Sequence, residues 1–319
     1  MKQEPGEELI TVREAAGVYT IAVTPFHDDG RLDDDSAVRM VEFYRGCGVA
    51  GLTILGVMGE ATKLDTDEAT GFSRCVIRAS GALPVIVGVS APGFAAMRAL
   101  ARSVMDAGAA GVMIAPPASV RTDDQTVTYF AQAVEAIGDD VPFVIQDYPQ
   151  GSGVVMSVPA IRRIVEAHAS CFMLKHEDWP GLEKLTAVRR LMQEGAMRTV
   201  SVLTGNGGVF LDFELERGAD GAMTGYAFPD MLVDLVRLQK AGKRAEAHDL
   251  FDAHLPLMRY EQQPGPGLAV RKHILKLRGA ILSDAQRKPA TALSALARAE
   301  VSYLLARLVR RDARAKGLG

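Results

Sequence analysis

Lys175 ends a short apolar run, Phe172-Met173-Leu174, and is followed by His176, Glu177 and Asp178. A strand buried on both faces is apolar throughout, and Phe172 to Leu174 suit one. A lysine at its end is costly to bury unless it is paired or used. Desolvation disfavours the ammonium form, so a lysine held there gives up its proton more readily. It then becomes an amine nucleophile that can form a Schiff base with a carbonyl. A lysine that snorkels to pair with Glu177 or Asp178 produces the same local pattern. The surrounding elements decide between the two.

Those elements repeat. Tyr19 to Thr24 is β-rich and stops at Pro25, and acids from Asp33 lead into a helical pattern ended by Gly46 and Gly48. Gly51 to Leu55 is a second apolar strand, leaving through the turn Gly56-Val57-Met58-Gly59-Glu60, with a helix from about Thr66. Strands then follow at Pro84 to Val89, Gly111 to Ala115, Val141 to Gln146, the lysine strand, Val200 to Thr204 and Gly221 to Thr224. Helices alternate with them at Phe94 to Asp106, Asp123 to Ile137, Val158 to His168, Gly181 to Glu194, Val209 to Arg217 and Met231 to Ala241. Eight strand-then-helix units in this length predict an α/β protein of the (β/α)8 TIM-barrel type. A doubly wound sheet is the alternative, because periodicity does not show closure. No G-x-G-x-x-G follows the first strand and no phosphate-binding G-x-x-x-x-G-K-[ST] is present, so nothing calls for a nucleotide cofactor.

After Ala241 the alternation stops. Arg244 to Tyr260, Leu268 to Leu277 and Thr291 to Arg311 are helical in pattern. The expected organisation is an N-terminal extension over 1–17, the barrel over 18–241 and a small helical C-terminal region over 242–319. The basic end of the chain (Arg307, Arg310, Arg311, Arg314, Lys316) reads as a solvated face and a frayed tail.

Composition narrows the function classes. Of 319 residues, 48% are hydrophobic and 24% charged, as in ordinary soluble proteins, and a net charge of −3 offers nothing to nucleic acid or an anionic membrane. No apolar run approaches the roughly 18 residues of a membrane span, and Met1 to Gly17 carries no signal-peptide core. Cys47, Cys75 and Cys171 lack metal-ligand spacing and read as free thiols in a reducing, cytoplasmic compartment. The six histidines form no metal motif, so no metal is expected.

In a barrel the chemistry lies at the C-terminal ends of the strands. The strand exits are Thr24, the 56–60 turn, Gln146 with Asp147, Lys175 with Glu177, Gly205 with Asn206, and Thr224. Glycine-rich turns at 56–60 and 205–208 can offer backbone N–H groups to a carboxylate while Lys175 attacks an adjacent carbonyl. The partner expected is thus a small 2-oxo acid. Asp147 and Glu177 are the candidate general acid–base groups. Each has a structural alternative, Asp147 in tying the Tyr148-Pro149 turn and Glu177 in pairing with Lys175. Glu60 reads as a turn-fixing carboxylate. His176 neighbours the lysine, but alternation along a strand turns it toward the helices.

A G-x-x-G-E turn after strand two, a short polar motif ending in proline after strand five and Lys-x-Glu after strand six together resemble the dihydrodipicolinate synthase/N-acetylneuraminate lyase family. The resemblance spans the barrel and runs into the helical tail. It implies a (β/α)8 fold, a homotetramer, and a Schiff base between the strand-six lysine, here Lys175, and pyruvate or another 2-oxo acid. The departures are informative. Val57-Met58 stands where the synthase and lyase branches have Thr-Thr or Ser-Thr, and Gln146 stands at the position of their catalytic tyrosine. Gly151 replaces the synthase arginine, and Pro116-Pro117-Ala118 lacks their tyrosine after strand four. Dihydrodipicolinate synthesis itself is thereby disfavoured. Gln146-Asp147-x-Pro149, Glu177, Pro180-Gly181, Gly221-Ala222-Met223-Thr224-Gly225, Phe228-Pro229-Asp230 and Leu255-Pro256-Leu257 are similar to L-2-keto-3-deoxyarabonate dehydratases. That branch removes water from a 2-keto-3-deoxy sugar acid through a lysine imine and gives 2-oxoglutarate semialdehyde.

The expected activity is therefore a class I lyase dehydrating a 2-keto-3-deoxy sugar acid. Lys175 is the nucleophile, Glu177 and then Asp147 move the proton, Gln146 fills the tyrosine position, and Val57, Met58, Gly205 and Thr224 hold substrate. A pyruvate-dependent aldolase or synthase of the same family is one alternative. A non-catalytic 2-oxo-acid-binding protein is another.

Overall fold

The computed structural model describes residues 15–179 and 181–319. Most of the expected 1–17 extension, and Pro180 of the Pro180-Gly181 pair, lie outside the described residues. Eight parallel strands close into a barrel in the order β1 to β8, which settles the choice against an open doubly wound sheet. They are β1 (Gly17–Ile21), β2 (Gly51–Ile54), β3 (Val85–Gly88), β4 (Gly111–Ile114), β5 (Phe143–Asp147), β6 (Cys171–His176), β7 (Ser201–Thr204) and β8 (Gly221–Thr224). β1 stops three residues before the expected Thr24. That hydroxyl instead donates to the Gly59 carbonyl at 2.5 Å, tying the exit of β1 to the turn after β2.

The helices between strands are α1 (Asp34–Gly46), α2 (Thr66–Ser80), α3 (Phe94–Asp106), α4 (Asp123–Ile137), α5 (Val158–Ala167), α6 (Leu182–Gln193) and α7 (Leu211–Glu216), and α8 (Pro229–Lys240) follows β8. Their starts are written locally. Asp65 and Glu68 form a reciprocal capping box on α2, and Thr122 and Gln125 form another on α4. Each cap satisfies N–H groups that the helix cannot, worth about 1 kcal/mol. α8 opens on Pro229, two residues before the expected Met231, because proline fits a first turn that needs no N–H.

Alternation along each strand divides the interior in two. Tyr19, Ile21, Ile86, Met113, Val144, Met173, Leu203 and Met223 fill the barrel itself. Val18, Leu52, Val87, Ile114, Ile145, Leu174 and Val202 face the helices in the larger shell. A residue's parity in its strand therefore decides whether it can reach the barrel mouth.

Three further helices follow: α9 (Arg244–Glu261), α10 (Gly267–Leu277) and α11 (Ala295–Leu308). α11 begins four residues after the expected Thr291 because Ser294 caps it, accepting from the Ala297 N–H. Among the described residues no helix is long and apolar enough to cross a membrane.

Candidate active site at the barrel mouth

Lys175 is the fifth residue of β6 and shares its inward parity with Met173. Its register partner on β5 is Gln146, while Asp147 lies beside His176. Lys175 and Gln146 line a cavity at the C-terminal mouth together with Glu177, Tyr148, Val57 and Met58. The C-terminal helices add Gln262 and Arg271 to the same lining.

Glu177 is the hub. Its Oε1 lies 2.6 Å from Lys175 Nζ, and its Oε2 accepts from Gln146 Nε2 at 3.2 Å. Its backbone is fixed too: the N–H donates to the Asp147 carbonyl at 2.8 Å, and its carbonyl accepts from Asn206 Nδ2 at 2.8 Å. Lys175 is 4% exposed and Glu177 6%, so the pair is shielded from bulk water. A carboxylate this close can take the proton that the lysine must lose before it attacks a carbonyl, and can return it later. Gln146 has no titratable proton. Its amide orients the carboxylate.

Asp147 is not part of this cluster. It is fully buried on the helix-facing side of β5, with Oδ2 2.7 Å from Lys184 Nζ and 3.3 Å from His176 Nδ1. The other ring nitrogen of His176 lies 2.9 Å from the Gly181 carbonyl. Burial opposes charge on His176, but the hydrogen bond and charge of Asp147, with the Gly181 carbonyl, outweigh it and raise the imidazole above its usual range. The Asp147–His176–Lys184 group fastens β5 and β6 to α6. The expectation of Asp147 as a second acid–base group is corrected by strand parity, and the expectation that His176 faces the helices agrees with it.

Of the residues expected to hold substrate, Val57 and Met58 reach the cavity, in a single helical turn Val57–Gly59. Glu60 follows at a positive φ of 55°. Its carboxylate is held chiefly by cations, Lys272 Nζ at 2.5 Å and Lys63 Nζ at 2.8 Å, with one backbone N–H, that of Arg287, at 3.2 Å. Burial pulls Lys272 down to about 8 against the attraction of Glu60. Glu60 thus fixes the turn, chiefly through two lysines. Thr224 has the parity opposite to Met223 and does not line the cavity, whereas Gly225 does. Gly205 lies just behind Asn206 and Gly207, which do line it.

Sequence reading missed Arg271, Gln262 and Tyr148. Arg271 is 2% exposed and donates through Nε to Glu261 Oε1 at 2.5 Å. The signal was faint: Val270 and Ile274 make an apolar i, i+4 stripe, and Arg271 lies directly beside it rather than on the opposite, solvated face. Tyr148 packs its ring over Gly151, where a Cβ would collide with it. Burial, then the Glu177 charge, push its phenol up. Among the described residues no group of three or more His, Cys, Asp or Glu is placed to hold a metal.

A closed (β/α)8 barrel with a buried lysine–carboxylate pair at its C-terminal mouth, together with its family and relatives, makes the protein a barrel lyase. The chain belongs to the dihydrodipicolinate synthetase family, whose sequence model matches residues 14–308. It is 30% identical over 297 residues to an L-2-keto-3-deoxyarabonate dehydratase from Azospirillum brasilense, covering 92% of this chain and 94% of that protein. A 4-hydroxy-tetrahydrodipicolinate synthase from Methanothrix thermoacetophila is 28% identical over 246 residues, covering 76% of this chain and 80% of that protein. The crystal structure of a dihydrodipicolinate synthase from Rhodopseudomonas palustris superposes with a TM-score of 0.91 at 63% identity, over 92% of this chain and 98% of that one.

Proposed function

We propose that this lyase forms a Schiff base between Lys175 and a 2-oxo acid, and that its reaction is dehydration of a 2-keto-3-deoxy sugar acid. The observation that carries the reading is the buried 2.6 Å contact between Lys175 Nζ and Glu177 Oε1 at the barrel mouth. Glu177 takes the ammonium proton, and the neutral amine adds to the C2 carbonyl. Loss of water gives the iminium, which acidifies C3. Having returned the first proton to the departing carbinolamine hydroxyl, Glu177 removes a C3 proton, and the enamine electrons expel the C4 hydroxyl, which takes that proton from Glu177 and leaves as water. A C5 proton then moves to C3, and the resulting enol tautomerises to the semialdehyde. Hydrolysis of the imine consumes one water and frees Lys175, so the net loss is one water. The substrate carboxylate is taken by the Val57–Met58 turn, and Asn206 and Gly207 line the same cavity. Asp147 has no step here, because its carboxylate is engaged by Lys184 and His176.

Gln146 supports dehydration over carbon–carbon bond chemistry, since an amide cannot shuttle the proton that the family's tyrosine carries. The relative at 63% identity is named as a dihydrodipicolinate synthase, and that name favours a second reading, a pyruvate-dependent synthase or aldolase. Product analysis separates them. An aldolase releases pyruvate that feeds lactate dehydrogenase, whereas the dehydratase yields a semialdehyde and no pyruvate. Binding of 2-oxo acids without turnover would mark the protein as a sensor instead. The free thiols of Cys47, Cys75 and Cys171 support a reducing, cytoplasmic setting. The family resemblance supports a homotetramer, which sedimentation velocity tests.

A further inference from the structure

Arg271 is a cavity-lining cation supplied by the helices that follow the barrel, and its bonding is incomplete. Nε is spent on Glu261, whose other oxygen accepts from the Ala227 N–H at 3.1 Å. Nη1 is buried and has no hydrogen-bond partner among the described residues. A guanidinium donor taken out of water without an acceptor is costly, so native structures rarely keep one unless a ligand or water completes it. This nitrogen lies over Gly225, just past the end of β8. A Cβ there would collide with Nη1 and lie 2.7 Å from Cζ. The absence of a side chain at Gly225 is thus what admits the guanidinium to the mouth.

We infer that Arg271 determines substrate specificity: its guanidinium donates to a hydroxyl oxygen on the substrate beyond C3. The inference rests on the imine reading above. β8 stands two places from β6 in the closed barrel, and β2 stands opposite β6. With C2 on Lys175 and the C1 carboxylate toward the turn after β2, the remaining carbons run into the sector of β7 and β8. There Asn206, Gln262 and Arg271 gather as polar groups. The acceptor is a hydroxyl rather than a second carboxylate, because Glu261 already balances the Arg271 charge at 2.5 Å.

The test uses the purified wild-type protein and four acids: pyruvate, 2-oxopentanoate, 4,5-dihydroxy-2-oxopentanoate and 2-oxoglutarate. Half-saturation of borohydride-trapped adduct is read by intact mass. Wild type should trap the dihydroxy acid at a concentration about 10- to 100-fold lower than 2-oxopentanoate, the range of a hydrogen bond to a charged group. Arg271→Met should shrink that preference to about threefold or less, with a loss toward the dihydroxy acid at least tenfold larger than any loss toward pyruvate. Equal trapping of the two five-carbon acids by wild type overturns the inference, even where the variant fails to fold. So does an equal loss toward pyruvate in folded Arg271→Met, which places the arginine at C1. A preference for 2-oxoglutarate over the dihydroxy acid overturns the hydroxyl assignment. Absence of any pyruvate adduct removes the imine reading itself, a separate failure.

Discussion

Gly205 leaves room for Glu177: a Cβ at this position would collide with Cγ of the glutamate and lie 2.5 Å from Oε1. Oε1 is the oxygen that meets Lys175. The exit of β7 therefore holds the carboxylate against the lysine from behind. The effect expected of alanine there is the steric one, the collision with the Glu177 side chain. Gly205→Ala should push Glu177 off Lys175 and lower kcat at least tenfold, at a stability cost of about 1–3 kcal/mol for overpacking. Steady-state kinetics and urea unfolding measure the two. Unchanged kcat would mean that the Lys175–Glu177 contact is not needed.

Glu177→Gln keeps the shape and the hydrogen bond to Gln146 but cannot move a proton. Turnover should fall about 10²- to 10⁴-fold, the usual contribution of a positioned acid–base group. Borohydride trapping should persist at longer incubation, because the lysine remains in place. Full turnover in this variant would assign the proton transfer to another group, with the cavity-lining Tyr148 phenol next in line.

Lys272 and Glu60 form a buried pair 2.5 Å apart, and the lysine also lies 4.6 Å from the centre of the Phe26 ring. Lys272→Met leaves the Glu60 charge dependent on Lys63 and should cost about 3–5 kcal/mol in urea unfolding. Glu60→Gln combined with Lys272→Met should recover much of that loss. A single variant within about 0.5 kcal/mol of wild type, the range of an ordinary surface change, would show that the pair is energetically idle.

Glu214 on α7 is buried, and its carboxyl is pushed up to about 7, chiefly by desolvation. The folded value exceeds the ordinary 4.5, so the folded state holds this proton more tightly than the unfolded one. Its contribution is complete below about 4.5 and is lost as pH rises through about 7. His176, also raised, acts in the same direction. The urea midpoint should therefore fall between pH 5 and pH 8, and Glu214→Gln should flatten that fall. An equal fall in both proteins would mean that Glu214 is already ionised at pH 5.

The barrel was legible because each strand is a short apolar run closed by glycine, proline or a polar exit, and each helix carries its own period and start signals. Lys175 and Glu177 were legible because two charged residues at the end of a buried run demand a reason. Asp147 lies on the helix-facing side of its strand, against His176 and Lys184, for a reason that strand alternation carries. Gln146 and Asp147 are adjacent on β5, so only one can face the mouth, and its pairing with Lys175 gives that place to Gln146. The same alternation had correctly turned His176 outward. Arg271 was beyond reach for a different reason. It is 96 positions from Lys175, its partner Glu261 is on another helix, and only the tertiary packing of α9 and α10 brings it over Gly225. A barrel's strand order predicts where its own loops gather, but not where an appended helix lands.

The most direct test is the intact mass of the protein after incubation with pyruvate and borohydride, followed by peptide mapping. The account predicts a single reduced pyruvyl adduct on Lys175, absent from Lys175→Ala, which should keep the circular dichroism of the barrel while losing turnover. An adduct on another lysine, or no adduct on folded wild-type protein, would contradict it.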